Sequence, residues 1–284
     1  MITQTHHTAP NQFVEANGIR FAYRRFGNGA AGSPPLLCNQ HFAGNLDGWD
    51  PAVTDGLAQS REVILFDNAG VGLSGGEVPQ TFAEMATNAL AFIDALGLTQ
   101  IDLLGFSIGS FVAQNIVLQR PALVRKLILI GSSPRNGDGM PFTPESQPIF
   151  NTKYEDPDDF WLDGFFRPSS PASLAAGRAF LRRRDARTAD RDLPANDKVA
   201  PAQVAAIIEW SQPQGERFAY LKEIKQPTLI VNGTNDIIYY TANSLPLVQH
   251  IPHAELIIYP DSAHAAPYQY PERFTADANC FLGA

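Results

Sequence analysis

A serine between two glycines stands where a strand pattern gives way to a helix pattern. The segment Gly105-Phe-Ser107-Ile-Gly109 follows the apolar run Ile101–Leu104 and precedes the apolar helix pattern Ser110–Gln119. A sharp strand-turn-helix connection exposes the serine hydroxyl at the end of the strand, and the glycines leave room for the neighbouring backbone. The segment therefore predicts Ser107 as a catalytic nucleophile.

A serine hydroxyl is a weak nucleophile at neutral pH, so it needs a base within hydrogen-bond reach. His264 follows the strand pattern Glu255–Tyr259, in a loop at the carboxyl end of a parallel strand, where open α/β sheets carry their sites. We therefore predict His264 as the general base. The histidines that we set aside, because they fall in a start expected to be disordered or in surface turns, are His6, His7, His250 and His253.

A carboxylate is needed to hold the histidine in one tautomer. Asp236 ends the segment Asn232-Gly-Thr-Asn-Asp236, just beyond the strand pattern Thr228–Val231. The competing carboxylates are Asp67, which opens a glycine-containing turn after another strand, and Asp261, three residues before the predicted base. We predict Asp236 as the orienting acid, which gives the chain order nucleophile, acid, base.

Alternating strand and helix patterns must position these residues. Residues 12–27 alternate and break at Asn17-Gly18, a turn dipeptide that predicts a hairpin at one edge of the sheet. A capping box, Thr81 to Glu84, opens an amphipathic helix that ends at Gly97. The alternation predicts an α/β fold with a mostly parallel central sheet and helices on both faces. Buried strands are predicted at Leu36–Cys38, Val63–Phe66, Ile101–Leu104, Lys126–Ile130, Thr228–Val231 and Glu255–Tyr259.

The alternation fails between residues 134 and 220, where Pro-rich and charged stretches replace strands. We predict a core domain of residues 1–133 and 221–284 and a helical cap inserted at 134–220. Aromatic side chains in the insertion and near the strand ends predict an enclosed apolar pocket. The basic run Arg182–Arg184 is expected to be a solvated helix face rather than an acid-binding site. The predicted pocket residues are Phe106, Trp161, Phe165, Trp210 and Tyr239.

Composition excludes several classes of protein. The 284 residues are 44% hydrophobic and 18% charged, which is typical of a globular chain. A net charge of −8 without a long basic run disfavours a nucleic-acid partner. No run of about 18 apolar residues and no signal-peptide pattern occurs, so we expect a cytoplasmic protein without membrane contact. We expect no metal and no organic cofactor, since metal-spaced His/Cys clusters and a Gly-rich phosphate loop are lacking. The oligomeric state stays open.

From about residue 13 to its C-terminus the chain resembles the α/β-hydrolase superfamily, in its serine-nucleophile branch with a helical cap. The resemblance implies an α/β-hydrolase fold and a Ser-His-Asp triad. It is specific for fold and much less so for substrate. The segments that carry it are Gly105-Phe-Ser107-Ile-Gly109, Asp67-Asn-Ala-Gly70-Val-Gly72-Leu-Ser74, Gly233-Thr-Asn-Asp236, Pro260-Asp-Ser-Ala-His264 and Pro271-Glu272-Arg-Phe274.

One segment departs from the family pattern. Members usually have a His-Gly pair after the third strand, and this chain has His41-Phe42 there. By resemblance, the backbone N–H groups of Phe42 and Ile108 form the oxyanion hole. A phenylalanine keeps the N–H but adds an aromatic wall. His41 is expected to organise the loop by hydrogen bonding rather than to act as a base.

The implied chemistry is acyl transfer on a small to medium hydrophobic ester, lactone or thioester. Some relatives have an aspartate nucleophile and carry out epoxide opening or halide displacement. The serine at this position argues against both activities for this chain. Two alternatives stay open. The same fold and triad can serve carbon–carbon bond hydrolysis, lyase chemistry or cofactor-free oxygenation, and a member without catalysis can serve as a small-molecule receptor.

Overall fold

Eight strands form one sheet in the computed structural model of the chain, which describes residues 4–30 and 32–283. Residues 1–3, 31 and 284, which the predicted core domain includes, lie outside this description. The strands are β1 (Gln12–Ala16), β2 (Ile19–Gly27), β3 (Leu36–Asn39), β4 (Glu62–Phe66), β5 (Ile101–Phe106), β6 (Val124–Ile130), β7 (Thr228–Gly233) and β8 (Ala254–Tyr259).

The strand order is β1-β2-β4-β3-β5-β6-β7-β8. Only β2 runs antiparallel to its neighbours β1 and β4, and the other neighbouring pairs are parallel. The hairpin is confirmed, because Asn17 and Gly18 turn the chain at φ 50° and φ 73° between β1 and β2. Every residue of β3, β5 and β7 is buried, as short apolar runs in a sheet covered on both faces require.

Helices connect the parallel strands. Thr81 is the N-cap of α2 (Phe82–Ala95): its Oγ1 accepts the N–H of Glu84 at 3.2 Å, and its hydroxyl donates to the Glu84 carboxylate at 3.1 Å. Gly97 follows the helix at φ 69°, so its predicted start and end are confirmed. Within the described residues no helix is both long and apolar enough to cross a bilayer. The α-helices are α1 (Pro51–Ala58), α2 (Phe82–Ala95), α3 (Ile108–Gln119), α4 (Gln147–Asn151), α5 (Pro157–Gly164), α6 (Pro171–Arg184), α7 (Val199–Ser211), α8 (Ser244–His250), α9 (Ala266–Gln269) and α10 (Pro271–Gly283).

Two apolar clusters cover the two faces of the sheet. Successive residues of a strand point to opposite faces, and in β4 Ile64 belongs to one cluster while Leu65 belongs to the other. The first cluster contains the inner faces of α2 and α3, and the second contains those of α1 and α10. The predicted α/β architecture, a mostly parallel sheet between two layers of helices, is therefore confirmed.

The part of the chain between β6 and β7 contains α4, α5, α6 and α7, and no strand is found among these described residues. We call residues 134–220 the insertion. The alternation of strands and helices stops there because the segment lacks short apolar runs, as the sequence indicates. The division of the chain into a core domain and a cap stays a prediction.

The expectation of a disordered start is wrong for the segment that begins at residue 4. His6 is fully buried, and its Nδ1 lies 3.0 Å from Thr54 Oγ1 on α1. The buried guanidinium of Arg187 donates to the carbonyls of His6 and His7 at 2.9 Å and of Ala9 at 3.0 Å. An arginine from the insertion thus holds the N-terminal segment on the core, a contact that no local pattern reveals.

A second buried arginine joins three parts of the fold. Arg24 on β2 is fully buried and donates to Asp47 Oδ1 at 2.6 Å and to Asn11 Oδ1 at 2.7 Å. Its third contact is the carbonyl of Asp190, at 3.2 Å. Buried charges are tolerated when they are paired and hydrogen-bonded in this way.

We expect Arg24→Met to destabilise the fold strongly, because it leaves Asp47 buried without its closest cation. The free energy of unfolding should fall by about 3 kcal/mol, measured by urea denaturation. Arg25→Met is the matched control on the same strand, since the Arg25–Glu62 pair is about one-third exposed. That variant should lose no more than about 1 kcal/mol. Equal losses in the two variants would contradict the role given to the buried pair.

Candidate active site

Ser107 lies in the turn between β5 and α3, in a backbone conformation that L-residues rarely adopt. Its dihedral angles are φ 56° and ψ −126°, and only 2% of the residue is exposed. The N–H of Ser107 donates to the carbonyl of Ile130 at 2.9 Å, and its own carbonyl accepts the N–H of Ser110 at 2.9 Å. The turn is thus held on the neighbouring strand β6 and on the first turn of α3.

The two glycines of this segment are required by close backbone contacts. A Cβ on Gly105 would overlap the carbonyl of Gly109 and lie 2.6 Å from Ser110 Cα. A Cβ on Gly109 would overlap the carbonyl of Asn39 and lie 2.6 Å from the Gln40 oxygen. Any side chain at either position would push α3 away from the strands that support Ser107.

His264 and Asp236 form a buried hydrogen-bonded pair. His264 Nδ1 lies 2.8 Å from Asp236 Oδ2, and both side chains are fully buried. The other carboxylate oxygen, Oδ1, accepts the N–H groups of Ile238 at 2.9 Å and Tyr239 at 3.2 Å. Because the carboxylate accepts, Nδ1 carries the proton and Nε2 of the neutral ring has a free lone pair.

Ser107 and His264 adjoin the same turn at the end of β6. Ser107 is bonded to the carbonyl of Ile130, and the imidazole packs on the next residue, Gly131, where a Cβ would lie 2.7 Å from His264 Cε1. The ring of Phe106, the neighbour of Ser107, lies 5.2 Å from the imidazole. His264 Nε2 is buried and has no partner among the described residues. The arrangement leaves this nitrogen able to accept a proton.

The two competing carboxylates lie elsewhere. Asp67 accepts the N–H of Leu46 at 2.9 Å and faces the carboxyl group of Asp192. Burial is the main reason that the pKa of Asp67 lies well above its ordinary value, and the nearby Asp192 raises this pKa further. Asp261 is partly exposed, and hydrogen bonds from Ser170 and Arg167 lower its pKa. In the described part of the chain, the carboxylate that bonds the imidazole of His264 is that of Asp236.

The loop after β3 carries the amide of Phe42. The N–H groups of Phe42 and Ile108 have no hydrogen-bond partner among the described residues. His41 Nδ1 lies 2.9 Å from the carbonyl of Phe42, and the N–H of Gly44 donates to the carbonyl of His41 at 3.0 Å. The N–H of Ala43, a residue at φ 53°, donates to Gln203 Oε1 at 2.7 Å. These bonds give the loop one defined shape.

His41 is buried among aromatic rings. Its imidazole lies 4.8 Å from Trp161, 5.3 Å from Phe165 and 5.5 Å from Phe106. Burial lowers the pKa of His41 to about 4. The ring is therefore neutral at physiological pH, and the Phe42 carbonyl selects the tautomer with the proton on Nδ1.

A cavity of about 740 Å³ opens between the insertion and the loop after β3. Its apolar wall contains Phe42, Phe160 and Trp161. Charged residues of both signs line the rest, namely Asp47, Arg184, Asp185, Arg191 and Asp192. Ser107 and His264 are not among the residues that line it. The ring of Phe165 lies behind the wall, 4.5 Å from Trp161 and 5.3 Å from His264, so it separates the cavity from the imidazole.

Four of the five predicted pocket residues lie at the cavity or around the imidazole. Trp161 lines the cavity. Phe106, Phe165 and Tyr239 surround His264, with ring centroids 5.2, 5.3 and 5.7 Å from it. The structure thus brings together aromatic residues that are up to 133 positions apart in the numbering, from Phe106 to Tyr239.

Trp210 lies away from this cavity and away from the imidazole. Its ring stacks on Phe111 of α3 at 5.2 Å and contacts Phe82 of α2 at 5.9 Å. Trp210 therefore lies on the face of α7 that packs on the core. The expectation for Trp210 therefore needs correction, because an aromatic residue in the insertion can complete the core beneath it.

The basic run also differs from expectation. Arg183 forms two hydrogen bonds to the fully buried Asp50, at 2.8 and 2.5 Å, and Arg184 pairs with Asp158 at 2.7 Å. Only Arg182 is exposed.

Gln203 on α7 was not predicted as a functional residue from the sequence. An isolated glutamine in an apolar helix has no distinguishing pattern.

Comparisons with known proteins agree with the fold. A family model described as the alpha/beta hydrolase fold matches residues 34–271. An alpha/beta hydrolase fold protein from Chitinophaga pinensis has 39% identity and a TM-score of 0.91, and the match covers 99% of this chain and 100% of that one. RutD of Rhizobium rhizogenes, provisionally named a carbamate hydrolase, is 26% identical over 255 residues, which are 88% of this chain and 92% of its own. The pimeloyl-acyl-carrier-protein methyl ester esterase of Nitrosomonas europaea is 28% identical over 262 residues, 90% of this chain and 95% of its own.

We expect acid to destabilise the fold in part through His41. Burial lowers the pKa of His41 from 6.5 to about 4, so between these values the unfolded chain binds a proton that the folded chain excludes. The contribution to stability is complete above pH 6.5 and is lost as the pH falls towards 4. Between pH 7 and pH 4.5, His41→Asn should therefore lose about 2 kcal/mol less unfolding free energy than the parent does, measured by urea denaturation.

His253→Asn is the control for this experiment, because His253 is exposed. The control should lose as much stability on acidification as the parent. An equal loss in His41→Asn would contradict the effect attributed to burial.

Proposed function

This chain belongs to the α/β-hydrolase family and is a hydrolase, and we propose that it acts through a triad of Ser107, His264 and Asp236. The observation that carries the proposal is the buried 2.8 Å hydrogen bond between His264 Nδ1 and Asp236 Oδ2, beside a serine at φ 56°. This pair leaves the Nε2 lone pair of the base free. The proposed reaction is acyl transfer to water.

In this reaction Ser107 Oγ attacks the substrate carbonyl carbon while His264 Nε2 takes the hydroxyl proton. The carbonyl oxygen, which becomes negatively charged, accepts hydrogen bonds from the N–H groups of Phe42 and Ile108. The protonated imidazole then gives its proton to the leaving group, and an acyl-enzyme forms. Water attacks the acyl carbon with His264 again as base, and the acid and free Ser107 result. Asp236 stabilises the imidazolium in both steps.

The substrate we propose is a small to medium hydrophobic ester, lactone or thioester. Support comes from the aromatic rings of Phe106, Phe165 and Tyr239 around the imidazole; the 740 Å³ cavity lies on the other side of Phe165. Apolar and aromatic side chains around a few polar groups are typical of small-molecule sites. We also propose that the insertion acts as a cap over this site. A screen of acyl chain lengths, lactones and aromatic esters, with product identification, tests the substrate class.

Ser107→Ala should lower kcat/KM for an activated ester on the order of 10⁶-fold, because the nucleophile supplies most of the effect of a triad. The variant should also lose covalent labelling by a fluorophosphonate, followed by intact-mass spectrometry. Ser110→Ala is the matched control, a second buried serine of the same segment, whose hydroxyl bonds the Ser107 carbonyl and Ser132 but not the imidazole; the backbone N–H of residue 110 keeps its own bond to Ser107 in this variant. Its activity should stay within about tenfold of the parent. If Ser107→Ala also kept its activity within about tenfold of the parent, the assignment of Ser107 as the nucleophile would be refuted.

Asp236→Asn should lower kcat about 10⁴-fold while the fold is kept, because an amide lets the imidazole adopt the wrong tautomer. Steady-state kinetics with an activated ester and a thermal unfolding curve measure the two quantities. The comparison variants are Asp67→Asn and Asp261→Asn, whose carboxyl groups bond to other partners. A larger loss of kcat in either of them than in Asp236→Asn would show that another carboxylate orients the base.

A further inference from the structure

Gln203 joins the insertion to the part of the loop that carries the Phe42 amide. Gln203 lies on α7 and is almost fully buried, and its Oε1 accepts the N–H of Ala43 at 2.7 Å. A buried side-chain amide costs free energy unless it is hydrogen-bonded. An apolar residue of similar volume would pack on this face of α7 without that cost, so packing alone does not explain a glutamine here.

Two peptide planes flank the Cα of Phe42, and each is held by hydrogen bonds. In the plane before it, the His41 carbonyl accepts the N–H of Gly44. In the plane after it, the Phe42 carbonyl accepts from His41 Nδ1, and the N–H of Ala43 donates to Gln203. Of the hydrogen-bond partners that residues 41–44 have in the described structure, Gln203 is the one from a distant element. The other bonds shape these four residues, and this bond ties Ala43 to α7; the next hydrogen bond to the insertion, from Asn45 Nδ2 to the carbonyl of Leu193 at 2.8 Å, lies beyond them.

The bonded residue is also the strained one. Ala43 has φ 53°, a left-handed conformation that costs a residue with a Cβ free energy. If its N–H had no acceptor, the backbone at Ala43 would relax towards negative φ, and the planes on both sides of Phe42 would rotate. The direction of the Phe42 N–H would change with them.

We propose that Gln203 is a positioning residue that aims the Phe42 N–H at the reacting carbonyl, so that hydrolysis depends on α7 being docked on the core. This inference rests on the proposed function, because it needs Phe42 to be an oxyanion donor. An oxyanion donor acts on charge that develops in the transition state and little on the bound substrate. Loss of its orientation lowers kcat and leaves KM nearly unchanged.

Gln203→Met removes the acceptor and keeps an unbranched side chain of similar volume. We expect kcat for an activated ester to fall about 10- to 100-fold, since loss of a whole oxyanion donor costs about 10²–10³. KM should stay within about threefold. Gln203→Glu retains an oxygen acceptor and should restore kcat to within about fivefold of the parent. Ile207→Met, a buried substitution on the same helix that removes no polar contact, controls for packing and should keep the parent kcat.

A second measurement separates positioning from a general effect on folding. An alkyl boronic acid, which forms a tetrahedral adduct with a serine, should bind Gln203→Met more weakly by the same factor as kcat falls, while the thermal unfolding midpoint stays close to that of the Ile207→Met control. Gln203→Asn, which withdraws the acceptor by one methylene, should behave in the same way and serves if the methionine variant does not fold.

Unchanged kcat and boronate affinity in Gln203→Met would overturn the proposal. So would a fall in kcat that Gln203→Glu does not reverse and that leaves boronate affinity unaltered. Failure of the parent enzyme to be labelled at Ser107 by a fluorophosphonate would instead refute the proposed function, and the role of Gln203 with it. If the parent is labelled and Gln203→Met has unchanged kcat and boronate affinity, the role of Gln203 alone is refuted.

Discussion

The backbone of Ser107 is held at a positive φ, and much of the surrounding structure depends on how that conformation is supported. A non-glycine residue in such a region costs on the order of 1–3 kcal/mol. The N–H of Ser107 is bonded to β6, its carbonyl accepts from Ser110, and glycines at 105 and 109 allow α3 to lie close to β3 and β5. The cost is offset by burial of β5 and of the inner face of α3. The hydroxyl is consequently fixed at the carboxyl ends of the central strands.

Loops from other parts of the chain reach this point because parallel strands end on the same edge of the sheet. Asp236 follows β7 and His264 follows β8, and their hydrogen bond joins two loops that are 28 residues apart. The loop after β3 brings the amide of Phe42 to the same edge. The topology thus gathers groups of different chemistry without requiring them to be close in the chain.

The insertion contacts these loops directly. The carbonyl of Phe165, at the end of α5, accepts the N–H of Ala265 at 2.8 Å, next to His264. Gln203 of α7 accepts the N–H of Ala43, next to Phe42. The insertion therefore supports two loops of the site as well as forming the aromatic wall of the cavity. The rings that it contributes also exclude water, and hydrogen bonds are stronger in such a low-dielectric region.

Local patterns in the sequence were sufficient for the strand-turn-helix segment around Ser107, the N-terminal hairpin, the alternation of strands and helices and the two ends of α2. Each of these depends on steric limits or on a periodicity that acts within a few residues. The chain order of Ser107, Asp236 and His264 was also readable, because the carboxyl ends of parallel strands must share an edge. The sequence also favoured Asp236 over Asp67 and Asp261 as the orienting acid, but it contained no contact that tests this choice.

Only the tertiary structure decided that the partner of His264 is Asp236, while Asp67 faces Asp192 and Asp261 bonds Ser170 and Arg167. It likewise turned Trp210 into the core and brought Gln203 to Ala43, 160 residues away in the chain. These outcomes depend on which faces of distant elements pack together and at what angle. Side-chain type and spacing along one helix do not determine that packing. The sequence by itself determined the kinds of element and the edge where they converge, and three-dimensional packing chose the partners there.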